Sequence, residues 1–225
     1  MREKRVDYSK LRLTNITAPE YRHLLLLLGW VGFLIAFFLT ERFIPAENCY
    51  SVYTFMDDLI PFCEWFVIPY VGWYFLIAGS LGWFLLYNVR GFVGLQIFFI
   101  VTQTVAVLCY IFFPTRQDLR PEVFLRENFL TGAVAFLYRI DTNTGVCPSL
   151  HVAFSLGVAS AWLKEKSAGI LLKVFIVVFV VLICLSVVFI KQHSVIDIFA
   201  AIPVCFLAEW IAYGKSYWKP RLLGI

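Results

Sequence analysis

The chain has 225 residues, of which 61% belong to the apolar set AVILMFWYC and 15% are charged, and its mean hydropathy is +0.80. Soluble domains have about 45–50% apolar and about 25% charged residues, so this composition excludes a soluble domain and a disordered chain. The net charge of +4 comes from 19 basic and 15 acidic residues scattered along the chain, which excludes the concentrated basic face of a nucleic-acid-binding protein. The chain is therefore predicted to be a polytopic membrane protein.

Long apolar runs bounded by charged residues predict six transmembrane helices. They cover approximately residues 24–40, 66–87, 93–113, 149–163, 168–190 and 194–213. Leucine, valine and phenylalanine dominate every run, without the alternation of membrane β-strands. The predicted fold class is all-α, with one six-helix membrane domain over residues 24–213. Residues 1–23 and 214–225 are predicted to be a cytoplasmic N-terminal segment and a cytoplasmic C-terminal tail.

The distribution of lysine and arginine predicts the orientation, because cytoplasmic loops of membrane proteins carry an excess of these residues. With both termini in the cytoplasm, most of the 19 basic residues fall on the cytoplasmic side. These are Arg2, Lys4, Arg5, Lys10, Arg12, Arg22, Arg90, Lys164, Lys166, Lys173, Lys215, Lys219 and Arg221. The protein is expected in the cell membrane, with the two longest loops, residues 41–65 and 114–148, on the extracytoplasmic side.

These two loops also suggest local features. Residues 124–138 are moderately apolar and predict a helix that lies on the membrane or dips into it. Cys49 and Cys63 share the first loop, and the sequence leaves open whether they form a disulfide or remain free thiols. Three acidic residues of the first loop, Asp57, Asp58 and Glu64, are predicted to be solvated. Binding of a cationic lipid head group is the alternative.

Arg116 and Arg120 follow the third predicted span directly, in the segment that ends with Pro121. Guanidinium groups stay charged at any physiological pH and form bidentate hydrogen bonds with phosphate oxygens. The alternative is that both arginines extend towards lipid head groups without binding a substrate.

The fourth span begins at Pro148-Ser149-Leu150-His151. Ser149 is a natural N-cap, and the unpaired N–H groups of the first turn, including that of Leu150, favour an anion. His151 lies in the same turn and can supply a proton. The alternative is an ordinary capped helix with an interfacial histidine.

The sixth span begins near His193, four positions before Asp197. Residues four apart lie on the same side of a helix, so the two side chains are expected to pair. A carboxylate on one imidazole nitrogen fixes the tautomer and leaves the other nitrogen as a nucleophile or base. A purely structural pair is the alternative, since an unpaired buried carboxylate is unfavourable.

The order and spacing of these segments resemble the type 2 phosphatidic acid phosphatase superfamily, which contains membrane lipid phosphatases and related head-group transferases. The resemblance covers about residues 110–200, and the six-span layout is also similar. It rests on Arg120-Pro121, Pro148-Ser149-Leu150-His151, Ser186 and His193-x-x-x-Asp197.

The resemblance implies a role for each residue of the motifs. Arg120 and Ser149 would bind phosphate together with the N–H groups near Leu150. His193 would be the nucleophile, Asp197 its partner and His151 the acid for the leaving group.

The chain departs from the family pattern at three positions. Phe113 replaces a lysine, Val187 replaces an arginine and Leu150 replaces a glycine. Arg116 is expected to take the place of the missing lysine. The Cys-Pro-Ser-Leu-His segment and the bare His-x-x-x-Asp pair are more similar to the inositol phosphorylceramide and sphingomyelin synthase branch.

The resemblance implies a membrane lipid phosphatase that acts on a phosphomonoester or diphosphate lipid through a phosphohistidine. A lipid head-group phosphotransferase is the first alternative, and a transporter or scaffold without catalysis is an alternative of another class. The expected partners are a lipid-phosphate substrate and membrane lipids, without a cofactor or metal. Zinc ligation by His151, His193 and Asp197 is the alternative to metal-free chemistry.

Overall fold

A computed structural model describes residues 6–214, in which helices joined by irregular loops predominate and two short strands are present. The eight α-helices are α1 (Leu28–Phe43), α2 (Phe55–Leu59), α3 (Val67–Tyr87), α4 (Val89–Phe112), α5 (Phe129–Ile140), α6 (Leu150–Lys164), α7 (Ile170–Phe189) and α8 (Val195–Tyr213). The strands are β1 (Tyr50–Ser51) and β2 (Thr115–Arg116). Short 3₁₀ turns cover Tyr8–Lys10, Leu13–Asn15, Arg22–Leu27, Ala46–Asn48 and Glu64–Phe66. Of the predicted terminal segments, residues 1–5 and 215–225 lie outside the described residues.

Within residues 6–214, five helical stretches are long and apolar enough to cross a membrane, and they coincide with five of the six predicted spans. They are Arg22–Phe43, Glu64–Tyr87, Val89–Phe112, Ile170–Phe189 and Val195–Tyr213. The fourth predicted span is the shorter helix α6, whose 15 residues extend about 22 Å at 1.5 Å per residue. A hydrocarbon core is about 30 Å thick, so a sixth complete crossing stays a prediction.

Helix α4 lies at the centre of the bundle and packs against α1, α3, α6 and α8. Its contact with α6 is close because Gly157 faces the ring of Phe98. A Cβ atom at Gly157 would lie 2.6 Å from Phe98 Cδ1, and Phe98 is fully buried. The missing side chain therefore lets the helix that carries His151 approach the central helix.

The predicted site residues lie at one end of the bundle, where α1, α4 and α7 end and where α3, α6 and α8 begin. The loops at this end are joined by a two-stranded parallel sheet, in which Tyr50 pairs with Thr115. The described N-terminal residues lie at the opposite end, where the Tyr8 hydroxyl contacts His23 Nε2 and donates to the carbonyl of Leu85.

The second long loop contains the predicted short helix, as α5. Thr131, Val134 and Leu137 are buried, whereas Phe129 and Phe136 are exposed. The buried residues recur every three positions, which places them on one side of the helix. The helix is confirmed, and its position relative to a bilayer stays a prediction.

Candidate functional site

His193 and Asp197 form a hydrogen-bonded pair at the start of α8. The imidazole Nδ1 lies 3.0 Å from Asp197 Oδ2, which also accepts the backbone N–H of Ser194 at 3.1 Å. Asp197 is completely buried, and His193 is 8% exposed. Because Nδ1 is engaged by the carboxylate, Nε2 is the imidazole nitrogen left for a substrate.

His151 faces this pair from the first turn of α6. The centroids of the His151 and His193 rings are 5.9 Å apart. The His151 ring packs between Tyr70 and Trp73, with centroid distances of 4.4 and 4.3 Å. Its Nε2 atom is buried and has no hydrogen-bond partner among the described residues. Aromatic packing therefore orients His151, while one ring nitrogen is left available.

Both histidines line a cavity of about 540 Å³, within the range of small-molecule sites. One end of the cavity is polar, and its walls further along α1 and α3 are apolar. The polar end is lined by Asp141, Thr142, Thr144, His151, Gln192 and His193, and the apolar walls include Trp30, Phe33, Leu34, Phe37, Trp73, Tyr74, Ile77 and Leu81. Leu34 and Tyr74 are more than half exposed, so the cavity opens on the apolar surface between α1 and α3.

Ser149 is the N-cap residue of α6, two positions before His151. Its backbone N–H donates to the carbonyl of Asp197 at 3.2 Å, which ties the starts of α6 and α8 together. Its hydroxyl is buried and has no partner among the described residues. Leu150, the first residue of α6, lines the cavity. Ser149 itself does not line the cavity, so the positive dipole end of α6 reaches the cavity through Leu150 and His151.

Arg120 does not line the cavity, although it contacts the residue beside His193. Its terminal nitrogens donate to the carbonyls of Tyr138, Asp141 and Thr142, and Nη2 also donates to Gln192 Oε1 at 2.6 Å. These bonds hold the chain after α5 against the turn that precedes α8. Nε of Arg120 is buried and has no partner within residues 6–214.

Arg116 is directed elsewhere. Its Nε bonds Asp118 Oδ2 at 3.1 Å, and Nη1 donates to the carbonyl of Ala46 at 2.9 Å. The structure therefore brings Arg120 to the surroundings of His193 but does not bring Arg116 to the cavity. Phe113, at the position of the family lysine, is largely exposed, and no described lysine or arginine lines the cavity.

The residues of the third resemblance motif support the turn before α8. The carbonyl of Val187 accepts the backbone N–H groups of Gln192 and His193. Ser186 is buried, and its hydroxyl donates to the carbonyl of Ile183 within α7. Val187 therefore contributes through its backbone, not through a cationic side chain.

Asp141 lines the cavity, although none of the sequence motifs predicted it as a site residue. Its Oδ2 accepts from the Tyr70 hydroxyl at 3.3 Å and from Gln192 Nε2 at 3.1 Å. Burial raises the pKa of Asp141, while the nearby His193 and Arg120 act in the opposite direction. The only sequence signal was the polar run that begins at this residue, and loops contain many such runs.

The acidic residues of the first loop differ from each other, and the prediction that they are all solvated is wrong. Asp57 is buried, and its carboxylate is satisfied there by hydrogen bonds from Ser194 and Val195. Glu64 is also buried and accepts from Asn128 Nδ2 at 3.1 Å. Asp58 is exposed, as expected.

The described residues contain neither a metal-binding cluster nor a disulfide. Within residues 6–214, no group of three or more His, Cys, Asp or Glu residues is arranged to hold a metal ion. Cys49 and Cys63 are free, as are the other described cysteines.

Comparison of the chain with protein families, with characterised proteins and with solved structures finds no match.

Proposed function

We propose that the protein is a membrane enzyme that transfers the phosphoryl group of a lipid phosphate ester to His193. The observation that carries this proposal is the pairing of His193 with Asp197 beside His151, at the polar end of a cavity with long apolar walls. The cavity is lined by two imidazole groups and a hydrophobic surface. The proposed reaction requires a nucleophile, a proton donor and a surface for the lipid, and these groups would supply them.

The apolar walls suit a lipid tail. Trp30 and Phe37 are seven residues apart on α1, and Trp73 and Leu81 are eight apart on α3, which correspond to about 10 and about 12 Å of helix. A lipid that enters between these helices would place its phosphate at the polar end. The Ser149 hydroxyl and the start of α6 would then stabilise the phosphate charge.

In the first step, Nε2 of His193 attacks phosphorus, the N–P bond forms, and the P–O bond to the lipid alcohol breaks. Protonated His151 gives its proton to the departing oxygen. Asp197 holds Nδ1–H of His193 and stabilises the positive charge that develops on this ring.

In the second step, water attacks phosphorus, His151 takes the proton of the water, and the N–P bond breaks. Inorganic phosphate leaves, and both histidines return to their starting state. This sequence is hydrolysis, and it corresponds to a lipid phosphatase.

A second candidate is transfer of a phosphorylated head group to an acceptor alcohol, and the charge of the cavity favours it. Asp141 lines the polar end, and no described lysine or arginine does. A phosphomonoester carries about −1.5 to −2 charges near pH 7, whereas a phosphodiester carries one. A carboxylate on the wall disfavours the more highly charged monoester, so a diester lipid fits this end better. Nε2 of His193 would attack phosphorus while the P–O bond to the diacylglycerol breaks and His151 protonates that oxygen. An acceptor hydroxyl would then attack phosphorus, give its proton to His151 and take the phosphorylated head group from His193.

The proposed location is the cell membrane, with both termini in the cytoplasm and the site on the extracytoplasmic side. Five apolar helices support membrane insertion. The orientation rests on the excess of lysine and arginine in the segments opposite the site. The proposed chemistry requires no metal, because His151, Ser149 and the helix dipole supply the proton and the positive potential.

The test uses purified protein in lipid nanodiscs with lipids labelled in the phosphate. One set contains phosphatidic acid, and a second contains a diester phospholipid with diacylglycerol, ceramide or inositol as acceptor. We expect an acid-labile, base-stable phosphoenzyme in the wild type and none in His193→Gln. His23→Gln is the matched control, because His23 lies at the opposite end of the bundle, beside Tyr8.

Release of inorganic phosphate from phosphatidic acid supports hydrolysis, and label that moves only to a lipid or inositol acceptor supports transfer. Turnover that persists in His193→Gln refutes the proposed nucleophile. Absence of turnover on both sets refutes the enzyme proposal. The transporter and scaffold alternatives then remain.

A further inference from the structure

The start of α8 is held by a carboxylate from a loop far away in the sequence. Asp57 Oδ2 accepts the hydroxyl of Ser194 at 2.6 Å, and Oδ1 accepts the backbone N–H of Val195 at 2.9 Å. Asp57 is 2% exposed, so both bonds are shielded from solvent. Hydrogen bonds to a charged partner are stronger than those between neutral groups, and an acidic group at a helix N-terminus is further stabilised by the dipole.

The same loop also binds the chain on the other side of His193. Lys191 Nζ donates to the carbonyls of Asp57 and Ile60, at 2.8 and 2.6 Å. Lys191 has φ 54°, a left-handed conformation that is unfavourable for a residue with a side chain and persists where the surroundings enforce it. The two hydrogen bonds from Lys191 Nζ to the carbonyls of Asp57 and Ile60 hold Lys191 in this conformation.

Asp57 is itself held in place. The backbone N–H of Thr54 donates to Asp57 Oδ2 at 2.8 Å, at the start of α2. Helix α2 therefore presents a preorganised carboxylate to α8, and Asp57 does not need to rearrange to bind Ser194.

His193 thus lies between two attachment points, Lys191 before it and Ser194 with Val195 after it. The imidazole reaches Asp197 through a bond whose acceptor atom, Oδ2, also binds the backbone of Ser194. A shift of the Ser194 backbone would therefore change the distance between Nδ1 and the carboxylate.

We propose that Asp57 is a positioning residue for the His193–Asp197 pair. Its carboxylate fixes the backbone of residues 191–195 and thereby the tautomer and direction of the His193 ring. The role of this pair in turnover rests on the proposed function, whereas the effect of Asp57 on the ring does not.

The test compares Asp57→Asn with Asp58→Asn in the full chain in nanodiscs. Asparagine keeps the size of Asp57 and one acceptor oxygen, but its NH₂ group cannot accept from Ser194 or Val195. Asp58 is adjacent and exposed, and it bonds the Tyr53 hydroxyl, so its substitution changes the same charge without touching α8.

The first readout is the ¹⁵N spectrum of the imidazole rings, which reports tautomer and hydrogen bonding without requiring activity. The chain has three histidines, so single His→Gln variants assign the signals. We expect the His193 ring signals to move from one tautomer towards a mixture in Asp57→Asn, with the His23 signals unchanged. In Asp58→Asn, all three rings should match the wild type.

The second readout is phosphoenzyme formation. We expect kcat to fall about 10-fold to 100-fold in Asp57→Asn, with KM within twofold, because the substrate contacts remain while the nucleophile is misplaced. If Asp57→Asn does not fold, Ser194→Ala removes one of the two bonds and should cause a smaller change of the same sign.

The outcomes separate the two proposals. A wild type without phosphoenzyme refutes the proposed function, and the ring spectra then still decide the role of Asp57. His193 signals in Asp57→Asn that match the wild type overturn the positioning role. Equal effects of Asp57→Asn and Asp58→Asn on these signals also overturn it.

Discussion

Replacement of Asp197 by asparagine tests the central pair most directly. Asparagine fits the buried position and can still accept the Ser194 N–H through Oδ1, so the start of α8 should persist. It removes the charged acceptor of His193 Nδ1, which lies 3.0 Å away. A hydrogen bond to a charged group contributes about 1.5–3 kcal/mol, and a factor of ten in rate corresponds to about 1.4 kcal/mol. We therefore expect the rate constant of phosphoenzyme formation to fall by about 10-fold to 150-fold.

The measurement is single-turnover formation of the phosphoenzyme, with the enzyme in excess over labelled lipid, so that product release does not enter. Asp118→Asn is the control, because Asp118 bonds Arg116 outside the cavity. We expect the control to keep the wild-type rate and both variants to keep the wild-type melting temperature within about 3 °C. An Asp197→Asn rate equal to that of the control would show that the carboxylate does not assist His193, and the argument from the pair would then fail.

Three further predictions concern the surroundings of the pair. Ser149→Ala removes a buried hydroxyl without a described partner, so it should raise KM for the lipid about fivefold or more and leave the melting temperature unchanged; a lower melting temperature with unchanged KM contradicts this role. Burial raises the pKa of Asp141, and its carboxylate forms as pH rises through that pKa, so KM for a phosphomonoester should increase with pH in the wild type and not in Asp141→Asn. Identical KM profiles in the two proteins would exclude this repulsion. Gly157→Ala should destabilise the protein by about 1–3 kcal/mol, because its Cβ would lie 2.6 Å from Phe98, whereas Gly82→Ala, with nothing within 4 Å, should not; thermal unfolding in detergent measures both.

The sequence predicted the features that depend on local pattern. Apolar runs gave five of the spans, since a helix is the structure that satisfies its own backbone in lipid. The pairing of His193 with Asp197 was predicted from a spacing of four residues on a helix. The pair forms, but α8 begins at Val195 and His193 lies in the turn before its N-cap. The N-cap position of Ser149 followed from its neighbours in the same way.

Features that depend on contacts between distant segments were not predicted. Asp57 and Ser194 are 137 positions apart, and nothing near Asp57 distinguishes it from the exposed Asp58. Arg116 and Arg120 have similar surroundings in the sequence, but β2 directs the first towards Ala46 and the chain after α5 engages the second. Such choices depend on loop packing, which hydropathy and spacing do not describe.

The opening of the cavity between α1 and α3 has a kinetic consequence. A lipid that enters there arrives by diffusion in the plane of the bilayer, so the relevant concentration is its mole fraction among neighbouring lipids. Added bilayer that lacks substrate should slow turnover by surface dilution, whereas a larger water volume should leave it unchanged. For the proposed enzyme, the opening at Leu34 and Tyr74 would thus make the composition of the surrounding membrane a determinant of the rate.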